Sequence, residues 1–247
     1  VDGADKMDRL SDSRLSRTVY VVRSIADKTL QQPYKLADYE KEIQAGAALT
    51  SQQVAELRDN SGDNISHKNR EYCEITALYW IWKNDRSKWK GICHYRRHFE
   101  LEEKMIKRLE NSGIDVILTI PILNFPDVRS MYCHDHIERD WNVMLEAIDR
   151  LNPQYSETTE QFQQGQFYHG YNMLIAREEI FNRYCAWLFP ILEYCERHSK
   201  RKRDPYQGRY LGFLAERLLS IFFLHHWEEY KIVHCPKMYL EAEEIGA

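Results

Sequence analysis

Arg96 and Arg97 follow directly on an apolar run, Gly91-Ile92-Cys93, with His94, Tyr95 and His98 around them. A buried strand that ends in fixed positive charge suits an anion held outside the carboxyl end of a sheet. Arginine forks bind phosphate bidentately and stay charged at every working pH. A nucleoside diphosphate is one such anion; pairing of both arginines with surface carboxylates is the plain alternative. "GDNIS" (62–66) is a second candidate, because a helix N-terminus offers unpaired N–H groups and Asp63 or Asn64 could hold a ribose or base edge. The same residues are also ordinary helix caps. "YCHDHIERD" (132–140) sets His134 and His136 two apart, near Asp135 and Asp140. That pattern fits a general base or, more weakly for want of a third ligand at diagnostic spacing, a metal. Arg209, Glu216 and Arg217 recur along one side of an otherwise apolar helix. Buried charge is costly unless paired, so these residues either meet partners or line a cleft, and Glu74 poses the same question.

The elements that must position these groups alternate. "TVYVVRS" (18–24) reads as a buried first strand, and "SGDNISHKN" (61–69) as turn and cap sequence leading into a helix over 68–84. There Tyr72, Ile75, Thr76, Tyr79, Trp80 and Lys83 form one broad face. "WKGICHY" (89–95) is the next strand, followed by a charged helix over 101–111 and a strand, "GIDVILTIPI" (113–122), closed by Pro121. Residues 131–151 begin polar and become an amphipathic helix, and "GYNMLIARE" (170–178) reads as a short central strand. A helix over 179–198 carries Pro190 as an expected kink, an apolar helix covers 208–227, and "YKIVHCP" (230–236) closes the chain as a strand. Strands and helices in this order predict an α/β fold.

Composition narrows the function. The chain has 247 residues, 43% of them hydrophobic, enough for one large α/β domain or two small ones. Residues 1–17 are polar and read as a linker, a tag remnant or a loosely docked helix, with one domain over 18–247. No apolar run reaches membrane-spanning length and the start has no signal-peptide core, so a soluble, cytoplasmic protein is expected. Six scattered cysteines without CxxC spacing predict reduced thiols. A net charge of −4 argues against nucleic acid held by bulk electrostatics, so any anion site must be local. The basic run "RHSKRKRD" (197–204) reads as a solvated loop, with peripheral contact to anionic lipid at the inner face of the cytoplasmic membrane as the alternative.

Five blocks, "GDNISHKNREYCEITALYWIWKN", "GICHYRRHF", "YCHDHIERD", "YNMLI" and "YQGRYLGFLAERLL", in that order closely resemble a bacterial family catalogued as a domain of unknown function. That family is associated with exopolysaccharide, capsule and O-antigen glycosyltransferases, and the resemblance spans about residues 18 to 240. It implies a GT-A-like, Rossmann-like fold with a mostly parallel sheet. The implied activity is transfer of a hexose, galactose being one option, from a UDP-sugar to a hydroxyl of a surface-polysaccharide or lipid-linked glycan acceptor. By the same resemblance Asp63, Asn64, Asn69, Tyr72 and Glu74 belong to the donor side, Tyr171 and Asn172 to a central block, and His134, His136 and Asp140 to a block that could activate the acceptor. Glu216 and Arg217 belong to a late-helix block. GT-A enzymes usually carry a DxD motif whose carboxylates hold a metal. This chain has none, and His94, Tyr95, Arg96 and Arg97 stand in its place. Fixed cations, with Arg209 and Arg217 beside them, are therefore expected to offset the leaving-group charge, with no metal and no cofactor beyond the nucleotide-sugar. A departure lies at residues 24–42, longer and more charged than the family pattern, which leaves the loop after the first strand open. Two other readings stay open: a non-catalytic glycan- or nucleotide-binding module, and a metal enzyme built on His134, His136 and Asp140.

Overall fold

The structure, a computed structural model, describes residues 17–200 and 202–243, so the linker or tag reading of the N-terminus falls almost wholly outside the described residues. β1 (Arg17–Arg23), β2 (Glu40–Gln44) and β3 (Leu57–Arg58) come first, then α1 (Asn69–Tyr72) and α2 (Ile75–Asn84). β4 (Trp89–His94), β5 (Arg97–Phe99), α3 (Glu103–Asn111), β6 (Val116–Thr119) and β7 (Ile122–Leu123) follow. Next are α4 (Val128–Asp135), α5 (Glu138–Leu151), α6 (Ser156–Gln164), β8 (Phe167–Tyr168) and β9 (Leu174–Arg177). α7 (Glu178–His198), α8 (Tyr210–His225), β10 (Ile232–Cys235) and β11 (Lys237–Tyr239) complete the order.

The main sheet runs β3-β2-β1-β4-β9-β6-β10, with β9 antiparallel to both of its neighbours and the other strands parallel. This is the α/β class, with the mostly parallel sheet flanked by helices. Both faces are covered, which is why β1 is apolar without alternation: Tyr20 and Val22 enter the core under α2, α7 and α8, while Val19 and Val21 enter a second cluster with Cys93, Ile117 and Ile175. Gly91 is needed where β9 crosses closest to β4, since a Cβ there would lie 2.8 Å from Ile175 Cγ1 and 3.0 Å from the Leu174 carbonyl.

Four expected elements come out differently. The strand over 113–122 is β6 alone, with Ile122 in the separate β7-β8 pair. The helix over 68–84 breaks at Cys73 (φ 50°), splitting it into α1 and α2. The 131–151 helix breaks at His136–Ile137, and the expected strand 170–178 begins only at Leu174, because Tyr171 and Asn172 take left-handed φ values of 70° and 52°. Among the described residues no helix is long and apolar enough to cross a membrane, and all six cysteines are free.

A fully buried carboxylate locks the first half together. Asp59 accepts from Gly46 N (2.9 Å), Ala47 N (3.0 Å), Thr76 Oγ1 (2.7 Å) and the Ser66 hydroxyl. Asp59→Ala would strand four donors at about 1–3 kcal/mol each. Urea unfolding should show a loss above about 3 kcal/mol after partial relaxation; a loss under about 1 kcal/mol would contradict this account.

Candidate active site

β1 leads to β2 and β3 on one side, and the chain then returns to place β4 on the other side of β1. The carboxyl ends of β1 and β4 therefore diverge into a crevice, where open α/β sheets bind ligands. A cavity of about 380 Å³ lies there, lined by Arg23, Lys28, Tyr34, Leu36, Tyr95 and His98 among others. The 24–36 loop that roofs it is fixed at both ends. Asp27 accepts from Ser24 N (3.0 Å) and Arg23 Nε (3.1 Å), and the loop pairs with the C-terminal segment through Gln31 N to Glu241 O (3.0 Å) and Glu243 N to Thr29 O (2.8 Å). The Tyr34 ring lies 4.0 Å from the His98 ring, giving the crevice an aromatic wall.

The basic cluster adjoins this crevice through Tyr95 and His98, which line it. His94 pairs with Arg97, so Tyr95 and Arg96 form a two-residue hairpin between β4 and β5, and β11 runs back along β5. The Arg97 guanidinium lies 4.3 Å from the Tyr171 ring centre and 5.5 Å from that of Tyr239; Arg96 lies 5.4 Å from Tyr239 and 5.7 Å from Tyr95. Lys237 Nζ adds a third cation, 5.3 Å from the Tyr171 ring. Among the described residues neither arginine forms an ion pair, and Arg96 Nε is buried without a hydrogen-bond partner. The alternative of surface ion pairs therefore falls away. These cations are stacked on aromatic faces and free to meet an anion.

Behind the cluster is the left-handed turn at Tyr171-Asn172, a conformation that costs roughly 1–2 kcal/mol per non-glycine residue. Side chains hold it in place. Tyr171 N–H donates to Glu216 Oε1 (2.7 Å), Asn172 Nδ2 donates to Glu74 Oε1 (2.8 Å) and the Gly212 carbonyl (3.2 Å), and the His94 ring bonds the Tyr171 carbonyl. Arg217 donates to Glu216 Oε2 (2.8 Å) and to the Phe213 carbonyl (2.9 Å), with its guanidinium 4.4 Å from the Tyr168 ring. Burial raises the Glu216 carboxyl above the usual carboxylate range; Arg217 opposes this and Glu74 adds to it. Arg209 completes the group, donating to Cys73 Sγ at 3.3 Å on the edge of Glu74 and Glu216.

Of the "CHDH" block, His136 comes to the site. Its ring stacks on Phe213 at 4.1 Å with Tyr206 beyond it, and Nδ1 has no partner. Burial first, then the Arg217 charge, depress its pKa to about 4, so the ring is neutral at pH 7. His169 is likewise held at about 4 by burial and by His234, whose Nε2 lies 3.0 Å from its own. A histidine with a depressed folded pKa takes its proton more readily in the unfolded chain. Stability should therefore be complete above about pH 6.5 and decline as the pH falls towards 4. Thermal midpoints that stay flat across that window would contradict the burial of both rings.

The sequence profile of the domain of unknown function DUF4422 matches residues 24–227, the greater part of the chain. The chain belongs to the DUF4422 family. Among solved structures, this DUF4422 chain is similar to the apo WbbM bifunctional glycosyltransferase, with a TM-score of 0.80 and 24% identity over 94% of the chain. It spans about half of that protein, 47% of its length. No curated protein matches.

Within this DUF4422 fold several expected site residues lie away from the cations or are bonded to other parts of the chain. Asp63 accepts from Tyr79 OH (3.1 Å) and its N–H donates to Asn84; Asn64 closes a turn by donating to Gly62 O and accepting from Ser66 N. Asn84 ends α2, next to the start of β4, so Asp63 and Asn64 lie at the opposite end of the sheet from the cations. Asn69 donates to the Cys73 carbonyl and Thr76, and Tyr72 is core, its hydroxyl donating to Glu196 at 3.0 Å. Asp140 is 2% exposed and bound to Lys202 Nζ at 2.6 Å, while His134 is exposed and paired with Asp135. His134, His136 and Asp140 do not gather as a metal-ligand group. The group of three possible ligands among the described residues is Glu40, Cys93 and His98, where both Glu40 oxygens already accept hydrogen bonds, from the His98 ring, Tyr34 OH and Ala37 N. Sequence reading passed over Arg23, Tyr34, Lys237 and Tyr239. The aromatic and basic residues just after "YKIVHCP" were the one available signal for the last two.

Proposed function

We propose that this domain is a nucleotide-sugar-dependent glycosyltransferase that moves a hexose from a UDP-sugar to a hydroxyl of a bacterial surface-polysaccharide acceptor, free or lipid-linked. In this reading it works in the cytoplasm without a DxD-bound metal. The observation that carries it is the trio Arg96, Arg97 and Lys237, stacked around Tyr171 and Tyr239 and without an ion pair among the described residues, next in sequence and sheet to Tyr95 and His98, which line the cavity where the strand order reverses. The likeness to a structure named as a bifunctional glycosyltransferase supports it.

The nucleoside fills the crevice beside Tyr34 and Tyr95, the diphosphate lies on the cations, and the sugar faces Tyr171, whose turn Asn172 holds from behind. The acceptor oxygen attacks the anomeric carbon, and the bond from that carbon to the diphosphate oxygen breaks. The nucleoside diphosphate leaves with the electron pair, its charge offset by Arg96, Arg97 and Lys237. Glu216 takes the acceptor proton, while the neutral His136 and its aromatic neighbours form the acceptor wall.

A second reading, a binding module without catalysis, is favoured by one fact: both Glu216 oxygens are already engaged. Thermal shift with UDP in EDTA, followed by donor turnover, separates the two. A ligand at a hundred times its dissociation constant adds about 2.7 kcal/mol. Stabilisation in EDTA with sugar release supports the metal-free transferase, stabilisation without turnover supports the module, and stabilisation only with manganese refutes metal independence.

A further inference from the structure

β7 and β8 form a separate two-stranded ribbon in which Ile122 pairs with Tyr168 and Leu123 with Phe167. One face points inwards, with Tyr168 under the Arg217 guanidinium and Ile122 against Gly170, next to Tyr171. The other face is apolar and open: Leu123 is 62% exposed, Phe167 58% and Phe125 79%. Three large apolar side chains left in water, two on one short ribbon and Phe125 just beyond it, mark a surface that meets something. Where the ribbon enters α4, a second cavity of about 370 Å³ opens, lined by Asp127, Arg129, Ser130, Glu138, Glu160 and Gln163. Its polar groups are already set in place. Asp127 accepts from Ser130 N (2.7 Å) and Ser130 Oγ (2.9 Å), Arg129 pairs with Glu138 at 3.4 Å, and Glu160 holds Gln163.

We infer that the ribbon and this cavity are a distal subsite for a neutral glycan, holding the sugars of the acceptor that precede the reacting end. This rests on the glycosyltransferase reading. Aromatic faces beside fixed amides and carboxylates match the two sides of a sugar ring, its C–H faces and its hydroxyl rim. Charge selects the occupant. Asp127, Glu138 and Glu160 stand against the single cation Arg129, so a phosphate or an anionic lipid surface is repelled where an uncharged polyol is not. Continuity points the same way, because Tyr168 touches Arg217 on the inner face while its neighbour Phe167 and the paired Leu123 are exposed, with Phe125 just beyond β7. An acceptor whose end reaches Glu216 would lie along this ribbon.

The test compares the whole chain with a Phe125→Ala/Phe167→Ala double variant. Both residues are exposed, so folding should be kept, which the thermal midpoint checks. A panel of neutral hexose mono-, di- and tetrasaccharides is titrated by ligand-observed NMR, and UDP thermal shift is measured on the same samples. The expected result is that a tetrasaccharide binds the parent chain more tightly than its monosaccharide, and that the variant loses about tenfold of this advantage with the UDP shift unchanged. Equal binding by both proteins, or no binding of any oligosaccharide to the parent, would overturn the inference. So would binding to phosphatidylglycerol vesicles that the variant loses, which would make the surface lipid-facing. Tetrasaccharide binding that depends on the two phenylalanines, without any UDP shift, would uphold the glycan surface and sink the transferase reading instead.

Discussion

Arg97→Ala should lower donor turnover about 10²- to 10³-fold, the loss typical when one preorganised group facing developing charge is removed. On the proposed function Arg97 would meet the leaving diphosphate; it is stacked 4.3 Å from Tyr171 and forms no ion pair among the described residues. Its removal leaves no partner stranded, so the thermal midpoint should move little while turnover falls. Arg97→Lys should recover only part of the rate, because an ammonium keeps the charge but loses both the planar stacking and the bidentate fork. Arg96→Ala should act in the same direction. Steady-state rates with a UDP-sugar in EDTA would measure this, and turnover unchanged in both alanine variants would remove the arginines from the chemistry.

The second large effect is at Glu216, where two variants separate chemistry from scaffolding. Glu216→Gln keeps an oxygen to accept the Tyr171 N–H but cannot take a proton. Turnover should fall about 10²-fold or more, within the range for a lost general base, with a modest change in stability. Glu216→Ala also leaves Tyr171 N–H without its acceptor at a strained turn and Arg217 unpaired where it is 4% exposed; breaking a buried pair of this kind costs about 3–5 kcal/mol. The pH profile adds a check. Burial raises the Glu216 carboxyl, so the acidic limb of kcat/KM should lie above the ordinary carboxylate range and disappear in Glu216→Gln. A glutamine variant as fast as the parent would make Glu216 a clamp for the turn and move the weight to the binding module.

Much of this architecture was legible residue by residue. The β-branched run at 18–24, the apolar strand before Arg96 and the alternation of strands with amphipathic stretches identify an α/β sheet, because a strand buried on both faces cannot be polar on either. The abrupt change from Ile92-Cys93 to Arg96-Arg97 marks the carboxyl end of β4 for the same reason: charge follows an apolar run where the strand leaves the core. Glu74, Glu216 and Arg217 were legible as buried charges in need of partners, and they find them at one turn.

Periodicity said nothing about which polar residues face that turn. Asp63, Asn64 and Asn69 have the side chains of a ligand site, yet α2 carries its Asn84 end to the amino edge of the sheet, so Asp63 and Asn64 cap a loop there while Asn69 braces the joint between α1 and α2. Asp140 and His136 lie four apart, but the chain breaks between α4 and α5, and one meets Lys202 while the other meets Phe213. Lys237 and Tyr239 join Arg96 and Arg97 across more than a hundred residues because β11 pairs with β5. The order of apolar and polar residues is a local property, and it was enough to specify strands, helices and the cationic strand end. Partnership between distant side chains depends on strand order and on where helices break, so the crevice, the Glu216 turn and the apolar ribbon arise only when the chain closes on itself.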